Sequence, residues 1–335
     1  MSAASGSSIE TDANPGRRTL LLFIITSLTF GTAFVGIKAG LVDIPPILFA
    51  ALRYDIGAAI LLSYVYWRGG YWRPRTRSDL MAVAIAGFFL SGLNAALLFT
   101  GQQYITTGTA AVVFSLVPVV APLFALVLLP EERFDPIGMV GILLGLVGVA
   151  VIVGLNSVST SGESTVLGVT LVGGAAVAAA FGSVLLSRTD RSIPGLGMTA
   201  WALVLAAGLV HCLSMLVGES PGDATPTIRT FIAVFWVGVP ATALAFPAYY
   251  GLIDRAGPVR ANLISYTVPL VATGVGAIVL GEVIPLRTVS GFLIIVIGFA
   301  LVERRNLKSE IRRLRGLPAP PEQDEEVVCE SAPRG

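Results

Sequence analysis

The chain has 335 residues, of which 54% are hydrophobic and only 13% are charged, and its formal net charge is +1. Soluble domains carry about 25% charged residues, so this surplus of apolar side chains needs lipid as its solvent. The near-zero net charge does not favour nucleic acid as a partner. Cys212 and Cys329 make neither a disulfide framework nor a metal site, and we expect no cofactor.

Apolar runs long enough to cross a bilayer recur along the whole chain. A hydrocarbon core about 30 Å thick requires about 20 apolar residues per helix. Helices are expected because lipid offers no partner for free backbone groups. We therefore predict an all-α polytopic membrane protein with ten transmembrane helices, at residues 19–39, 46–66, 80–100, 109–129, 136–154, 166–187, 197–217, 230–253, 259–280 and 285–303.

Polar stretches divide this series of helices into two units. We predict that residues 1–18 form a disordered N-terminal tail and that 155–165 form a linker. Residues 304–335 are predicted to form a cytoplasmic tail that is first basic and then acidic. The two units between these segments, 19–154 and 166–303, contain five predicted helices each.

The second half of each unit repeats one pattern, over residues 110–153 and 261–302. The aligned pairs are Pro118 with Pro269, Glu131 with Glu282 and, after a shift of one residue in the turn, Gly141 with Gly291 and Gly148 with Gly298. Matched Pro, Glu and Gly at a constant offset indicate an internal repeat. Because five is an odd number, the second unit should enter the membrane from the opposite side. Two inverted five-helix repeats are the arrangement of many secondary transporters.

Arginine and lysine in short loops predict the orientation of the chain. One side carries most of them in its loops, at Arg17, Arg18, Arg68, Arg73, Arg75, Arg77, Arg133, Arg188, Arg191, Arg255 and Arg260. The other side has only Arg229 and Arg287 in its loops. We therefore predict that both termini are cytoplasmic.

Polar side chains at membrane depth are expensive, which makes each of them a candidate for binding a solute. The candidates are Lys38, Arg53, Asn94, Gln103, Tyr249, Asn262 and Tyr266. The guanidinium of Arg53 would suit a carboxylate or phosphate on the solute. Lys38 can alternatively extend to the interface, and Tyr249 can alternatively be a packing aromatic. An interhelical hydrogen bond is the alternative for the remaining polar candidates, namely Asn94, Gln103, Asn262 and Tyr266. Arg53 and Asp55 point about 200° apart on a helix, so one is expected to face a cavity and the other a neighbouring helix or the interface.

Two prolines and two glutamates occupy matching positions of the repeat. Pro118 and Pro269 are predicted to break helices 4 and 9, because proline removes a backbone hydrogen bond. Paired breaks point to a central binding site, although each can alternatively be a kink required by packing. Glu131 and Glu282 are interpreted as caps for the helices that follow them, with gating as the alternative.

These motifs resemble the EamA family of the drug/metabolite transporter (DMT) superfamily. The likeness lies in FGTAFVGIKAG from Phe30, in IPPILFAALRYDIGA from Ile44, and in the two copies of the repeat. The resemblance implies ten helices, inverted halves and a central solute cavity that faces either side in turn. It draws attention to Lys38, Arg53, Pro118, Glu131, Pro269 and Glu282. The chain departs from the family at Phe30, where the family has tryptophan, and at Pro130, where it has glycine.

The leading hypothesis is a multi-pass secondary transporter of a small organic metabolite in the cell membrane, working as an exporter or exchanger. A non-transporting scaffold and a membrane-embedded enzyme are the alternatives. The latter has little support, because His211 is the single histidine and no catalytic or metal-binding cluster is evident. The expected partners are a small-molecule solute and the lipid bilayer, and the sequence is also compatible with a homodimer.

Overall fold

A computed structural model describes residues 15–128, 136–153, 163–249, 252, 264–302 and 304. Two of the candidate residues, Glu131 and Asn262, lie outside the described residues. Most of the predicted tails and of the predicted linker lie outside them as well.

Helices dominate the described part of the chain. They are α1 (Pro15–Gly40), α2 (Pro46–Arg68), α3 (Arg77–Gln102), α4 (Thr107–Leu128), α5 (Pro136–Val153), α6 (Glu163–Ser187), α7 (Gly195–Leu216), α8 (Ile228–Tyr249), α9 (Ile264–Leu280) and α10 (Leu286–Val302). Of these described helices, seven are long and apolar enough to cross a membrane, and α5, α9 and α10 are apolar but shorter.

Two helices begin earlier than the sequence predicts. α1 begins at Pro15, so the last four residues of the predicted disordered tail are helical. α6 begins at Glu163, so the last three residues of the predicted linker are helical as well. The physical reason lies in the first helical turn, which accepts proline without losing a hydrogen bond and favours a carboxylate beside its free N–H groups.

Three of the helices are irregular near their middle. α3 contains a π-helical segment at Ala86–Leu93, and α8 contains one at Val239–Leu244. α4 is interrupted, since its first part ends at Phe114 and its second part begins at Val117. π-Helical turns are frequent at functional sites, and these irregular segments lie beside the cavity described below.

The most extensive helix packings among the described residues follow a regular scheme. They join α5 with α10, α2 with α7, α1 with α8 and α9, α6 with α3 and α4, α2 with α8, α7 with α3, and α4 with α9. If α1 to α5 are renamed α6 to α10 and the reverse, the same set of packings results. Each of these packings joins one of the helices α1–α5 to one of α6–α10, so much of the core lies between these two sets of helices.

Two capping boxes fasten loops of one unit to helices of the other. Thr76 and Asp79 form such a box at the start of α3, and Thr227 and Thr230 form one at the start of α8. Asp79 also accepts hydrogen bonds from two backbone N–H groups of the α6–α7 loop, both at 2.9 Å. Thr227 donates to the carboxylate of Asp43 in the α1–α2 loop at 2.7 Å. Both contacts join the two units at the ends of the bundle.

Candidate functional site

A cavity of about 350 Å³ lies between the described helices. Its walls are formed by side chains of α1, α2, α3 and α4 together with α6, α7, α8 and α9, while α5 and α10 line no part of it. Pockets for small molecules have volumes of about 300–1,000 Å³ and are mostly apolar with a few polar groups. The size and position of this cavity therefore make it the candidate functional site.

Arg53 is the one charged side chain among the described residues that line the cavity. Its guanidinium carbon lies 4.4 Å from the ring centroid of Tyr54 and 4.8 Å from that of Phe99. Its Nη2 donates to the hydroxyl of Tyr54 at 2.6 Å, and that hydroxyl donates to the carbonyl of Ser91 at 3.1 Å. The two rings and this hydrogen bond hold the guanidinium at the wall of the cavity.

Amide and hydroxyl side chains add further polar surface. Asn94 on α3 lines the cavity, and its Nδ2 donates to the carbonyl of Ala175 on α6 at 3.0 Å. Ser115 and Ser183 also line it, and each donates to a carbonyl one turn earlier in its own helix. A hydroxyl that donates in this way still carries lone pairs that can accept a hydrogen bond from a solute.

Aromatic rings form much of the apolar wall. Phe30 on α1 lies 6.0 Å from the ring of Phe246 and 6.2 Å from that of Tyr249, both on α8. Phe34 and Phe114 face each other across α1 and α4 at 6.1 Å. All five rings line the cavity. Tyr249 therefore lines the same cavity as Arg53 and Asn94.

Lys38 and Gln103, two of the predicted solute ligands, lie outside the lining of the cavity. The ammonium of Lys38 donates to the carbonyls of Gln102, Gln103 and Ile105, at 2.8, 3.1 and 2.9 Å. Gln103 is exposed at the end of α3. Carbonyls at a helix C-terminus have no partner within the helix and attract cations. That attraction directs Lys38 to the end of α3 instead of to the cavity.

Glu282 caps a helix, but not the one that the sequence predicts. Its carboxylate accepts from the backbone N–H of Thr107 at 3.0 and 2.9 Å and from the hydroxyl of Thr107 at 3.0 Å. Thr107 is the first residue of α4, whereas the helix that follows Glu282 is α10. Lys38 and Glu282 therefore bind the two sides of the same α3–α4 connection.

The remaining candidates divide between packing and helix geometry. Tyr266 does not line the cavity, because it packs on Phe299 of α10 with the ring centroids 4.4 Å apart. α4 is interrupted just before Pro118. The described α9 continues through Pro269, so no break is observed there. A proline inside a helix can kink it without ending it.

Asp55 and His211 form a pair that the sequence does not predict. The carboxylate of Asp55 on α2 lies 2.8 Å from Nε2 of His211 on α7, with their side chains 46% and 33% exposed. Asp55 thus faces a neighbouring helix while Arg53 faces the cavity, as the angle between them requires. His211 is not isolated. The only signal in the sequence is that both are titratable residues in apolar helices, and a separation of 156 positions gives no indication of contact.

A bundle of apolar helices around a largely apolar internal cavity defines a helical membrane protein able to hold a small molecule. The chain belongs to the EamA-like transporter family, which it matches twice, over residues 17–154 and 166–304. The protein is therefore a membrane transporter.

Individual relatives agree with this assignment. The chain is 29% identical to the "Uncharacterized inner membrane transporter YedA" of Escherichia coli (strain K12), covering 82% of this chain and 86% of the relative. It is 27% identical to an "Uncharacterized transporter" of Archaeoglobus fulgidus, covering 85% and 98% of the two chains. A solved crystal structure at 23% identity superposes with a TM-score of 0.59 over 86% of this chain and 97% of that chain, which shows a shared fold.

Proposed function

We propose that this protein is a secondary carrier that moves a small organic metabolite across the cell membrane by alternating access, as an exporter or exchanger. The observation that carries the proposal is the cavity of about 350 Å³ between α1–α4 and α6–α9. A site walled by both units can open to either side when one unit rocks against the other. A scaffold that transports nothing would have no need of such a cavity.

We further propose that the helices form ten spans in two inverted five-helix repeats. The crossing of α5 and α10 supports this arrangement. A Cβ added at Gly298 would lie 2.5 Å from the carbonyl oxygen of Gly141, and one added at Gly148 would lie 2.8 Å from that of Gly291. Gly141 aligns with Gly291 in the repeat, and Gly148 aligns with Gly298. The two contacts therefore exchange with each other under a two-fold rotation, as in an isologous interface.

Within this arrangement, Arg53, Asn94 and Tyr249 are the proposed solute-binding residues. The interruption of α4 before Pro118 supplies a hinge beside the cavity, because the helix has no continuous ladder of hydrogen bonds there. The arginine distribution orients both termini to the cytoplasm, so the α3–α4 connection lies on the outer side. Lys38 and Glu282 then hold the outer end of the bundle closed.

A flux measurement in proteoliposomes tests the proposal. The purified protein is reconstituted into vesicles, and each batch of vesicles is loaded with one organic metabolite from a panel. We expect saturable counterflow for at least one of these metabolites. Arg53→Ala should raise the half-saturating concentration about tenfold or more, because a hydrogen bond to a charged group contributes about 1.5–3 kcal/mol. Arg287→Ala, at an exposed residue of α10, is the matched control and should leave counterflow unchanged.

The outcomes separate the parts of the proposal. Absence of counterflow for the whole panel would refute the carrier and favour a scaffold. Unchanged counterflow in Arg53→Ala would remove Arg53 from the binding site. Tags that become accessible from opposite faces of the membrane at the two chain ends would refute the proposed topology.

A further inference from the structure

The cavity contains a cation whose counter-charge is missing from the described part of the protein. Nε of Arg53 is buried and has no hydrogen-bond partner among the described residues. No carboxylate of those residues forms an ion pair with its guanidinium. The two nearest in sequence to Arg53 have other partners, since Asp55 pairs with His211 and Asp43 with Arg229. A charge removed from water costs several kcal/mol unless a partner and hydrogen bonds compensate it. A bound anion would supply both.

The geometry of the guanidinium limits the kind of anion. The guanidinium is planar, and such a group can donate to both oxygens of a carboxylate at once. Nη2 already donates one hydrogen to Tyr54, which leaves it a second one for the ligand. A single guanidinium offsets a single negative charge. A phosphate dianion would retain an uncompensated charge in a largely apolar cavity, which is costly.

The other lining residues indicate which kind of non-ionic group the ligand carries. The rings of Phe30, Phe34, Phe114, Phe246 and Tyr249 offer faces and edges to an apolar or aromatic group. The described lining includes no aspartate or glutamate that could pair with an ammonium group. Among the described lining residues, the ammonium of an amino acid would therefore find no counter-charge. The same carbon skeleton without the amine has no such need.

We propose that the cavity binds an organic monocarboxylate with an apolar or aromatic body and without an ammonium group, through an ion pair between its carboxylate and Arg53. The inference rests on the proposed function only for the statement that the bound anion is also transported. Binding itself can be measured without any transport. The cation–π contacts of the guanidinium with Tyr54 and Phe99 hold it in position for the incoming carboxylate.

Four probes with one carbon skeleton test the proposal by calorimetry on the full-length protein in lipid nanodiscs. They are 3-phenylpropanoate, phenylalanine, 3-phenylpropylamine and 3-phenylpropan-1-ol. We expect 3-phenylpropanoate to bind about 10- to 100-fold more tightly than the other three, in line with one hydrogen-bonded charge. This comparison uses the unsubstituted protein and does not depend on any variant folding. Arg53→Gln should abolish the preference for the carboxylate, whereas Arg287→Gln should preserve it.

Contrary binding results overturn the inference, and contrary transport results distinguish it from the proposed function. Binding of phenylalanine or 3-phenylpropylamine as tight as that of 3-phenylpropanoate would mean that the cavity does compensate an ammonium. An unchanged preference in Arg53→Gln would exclude Arg53 as the anion site, and absence of saturable binding of 3-phenylpropanoate would refute the monocarboxylate class. Tight carboxylate binding without counterflow would refute the carrier but not the anion site. Counterflow of amines in preference to carboxylates would refute the anion site but not the carrier.

Discussion

The crossing of α5 and α10 gives a quantitative test of how the two units are joined. A Cβ at Gly298 would lie 2.5 Å from the carbonyl oxygen of Gly141 and 2.9 Å from the backbone nitrogen of Gly145. Ordinary contacts of a Cβ begin at 3.4 Å, so Gly298→Ala requires the two backbones to move apart by about 0.9 Å along this contact. The atoms that it meets are backbone atoms, which cannot turn aside as the end of a flexible side chain could.

The expected cost follows from this separation. Overpacking a close contact costs about 1–3 kcal/mol, which exceeds the gain of about 0.5–1 kcal/mol from replacing glycine by alanine in a helix. Gly298→Ala should therefore lower the free energy of unfolding. Gly208→Ala on α7 is the matched control, because a Cβ there meets no atom within 4 Å. That variant should be neutral or slightly more stable.

The measurement is reversible unfolding in mixed detergent micelles, followed by circular dichroism. Gly291→Ala, at the position that the repeat aligns with Gly141, should lose a similar amount, because its Cβ would lie 2.6 Å from the carbonyl oxygen of Gly148. The double variant Gly141→Ala/Gly298→Ala should lose less than the sum of the single losses, since one separation relieves both contacts. Equal stability of Gly298→Ala and Gly208→Ala would refute the close crossing.

Two further predictions concern contacts between distant parts of the chain. Glu282→Ala removes the acceptor of two donors of Thr107 and should lower the free energy of unfolding by about 0.5–2 kcal/mol. Amide exchange in the first turn of α4 should become faster, and an unchanged exchange rate would contradict the cap. For Asp55 and His211, a double-mutant cycle with Asp55→Asn and His211→Phe should give a coupling free energy of about 0.6–1.7 kcal/mol in the same unfolding assay. A coupling near zero would mean that the 2.8 Å contact between them does not contribute to stability.

The sequence by itself determined the class of structure. Pro46 was correctly predicted as the first residue of α2, and the apolar runs correspond to helices throughout the described residues. In lipid, every apolar segment must satisfy its own backbone hydrogen-bonding groups. Whether a segment is helical therefore depends mainly on its own sequence. The repeat of Pro, Glu and Gly was visible for the same reason, since it requires only that the chain be compared with itself.

Only the tertiary structure decided which polar side chains meet. Lys38 and Arg53 are both cations in apolar helices, yet one caps α3 and the other lines the cavity. Glu282 reaches Thr107 across 175 positions and does not cap the helix beside it. In a soluble helix, a polar face would have indicated which side points outward. Here the lipid-facing side and the core-facing side are both apolar, so the orientation of each helix depends on packing against its neighbours, which the sequence pattern does not record.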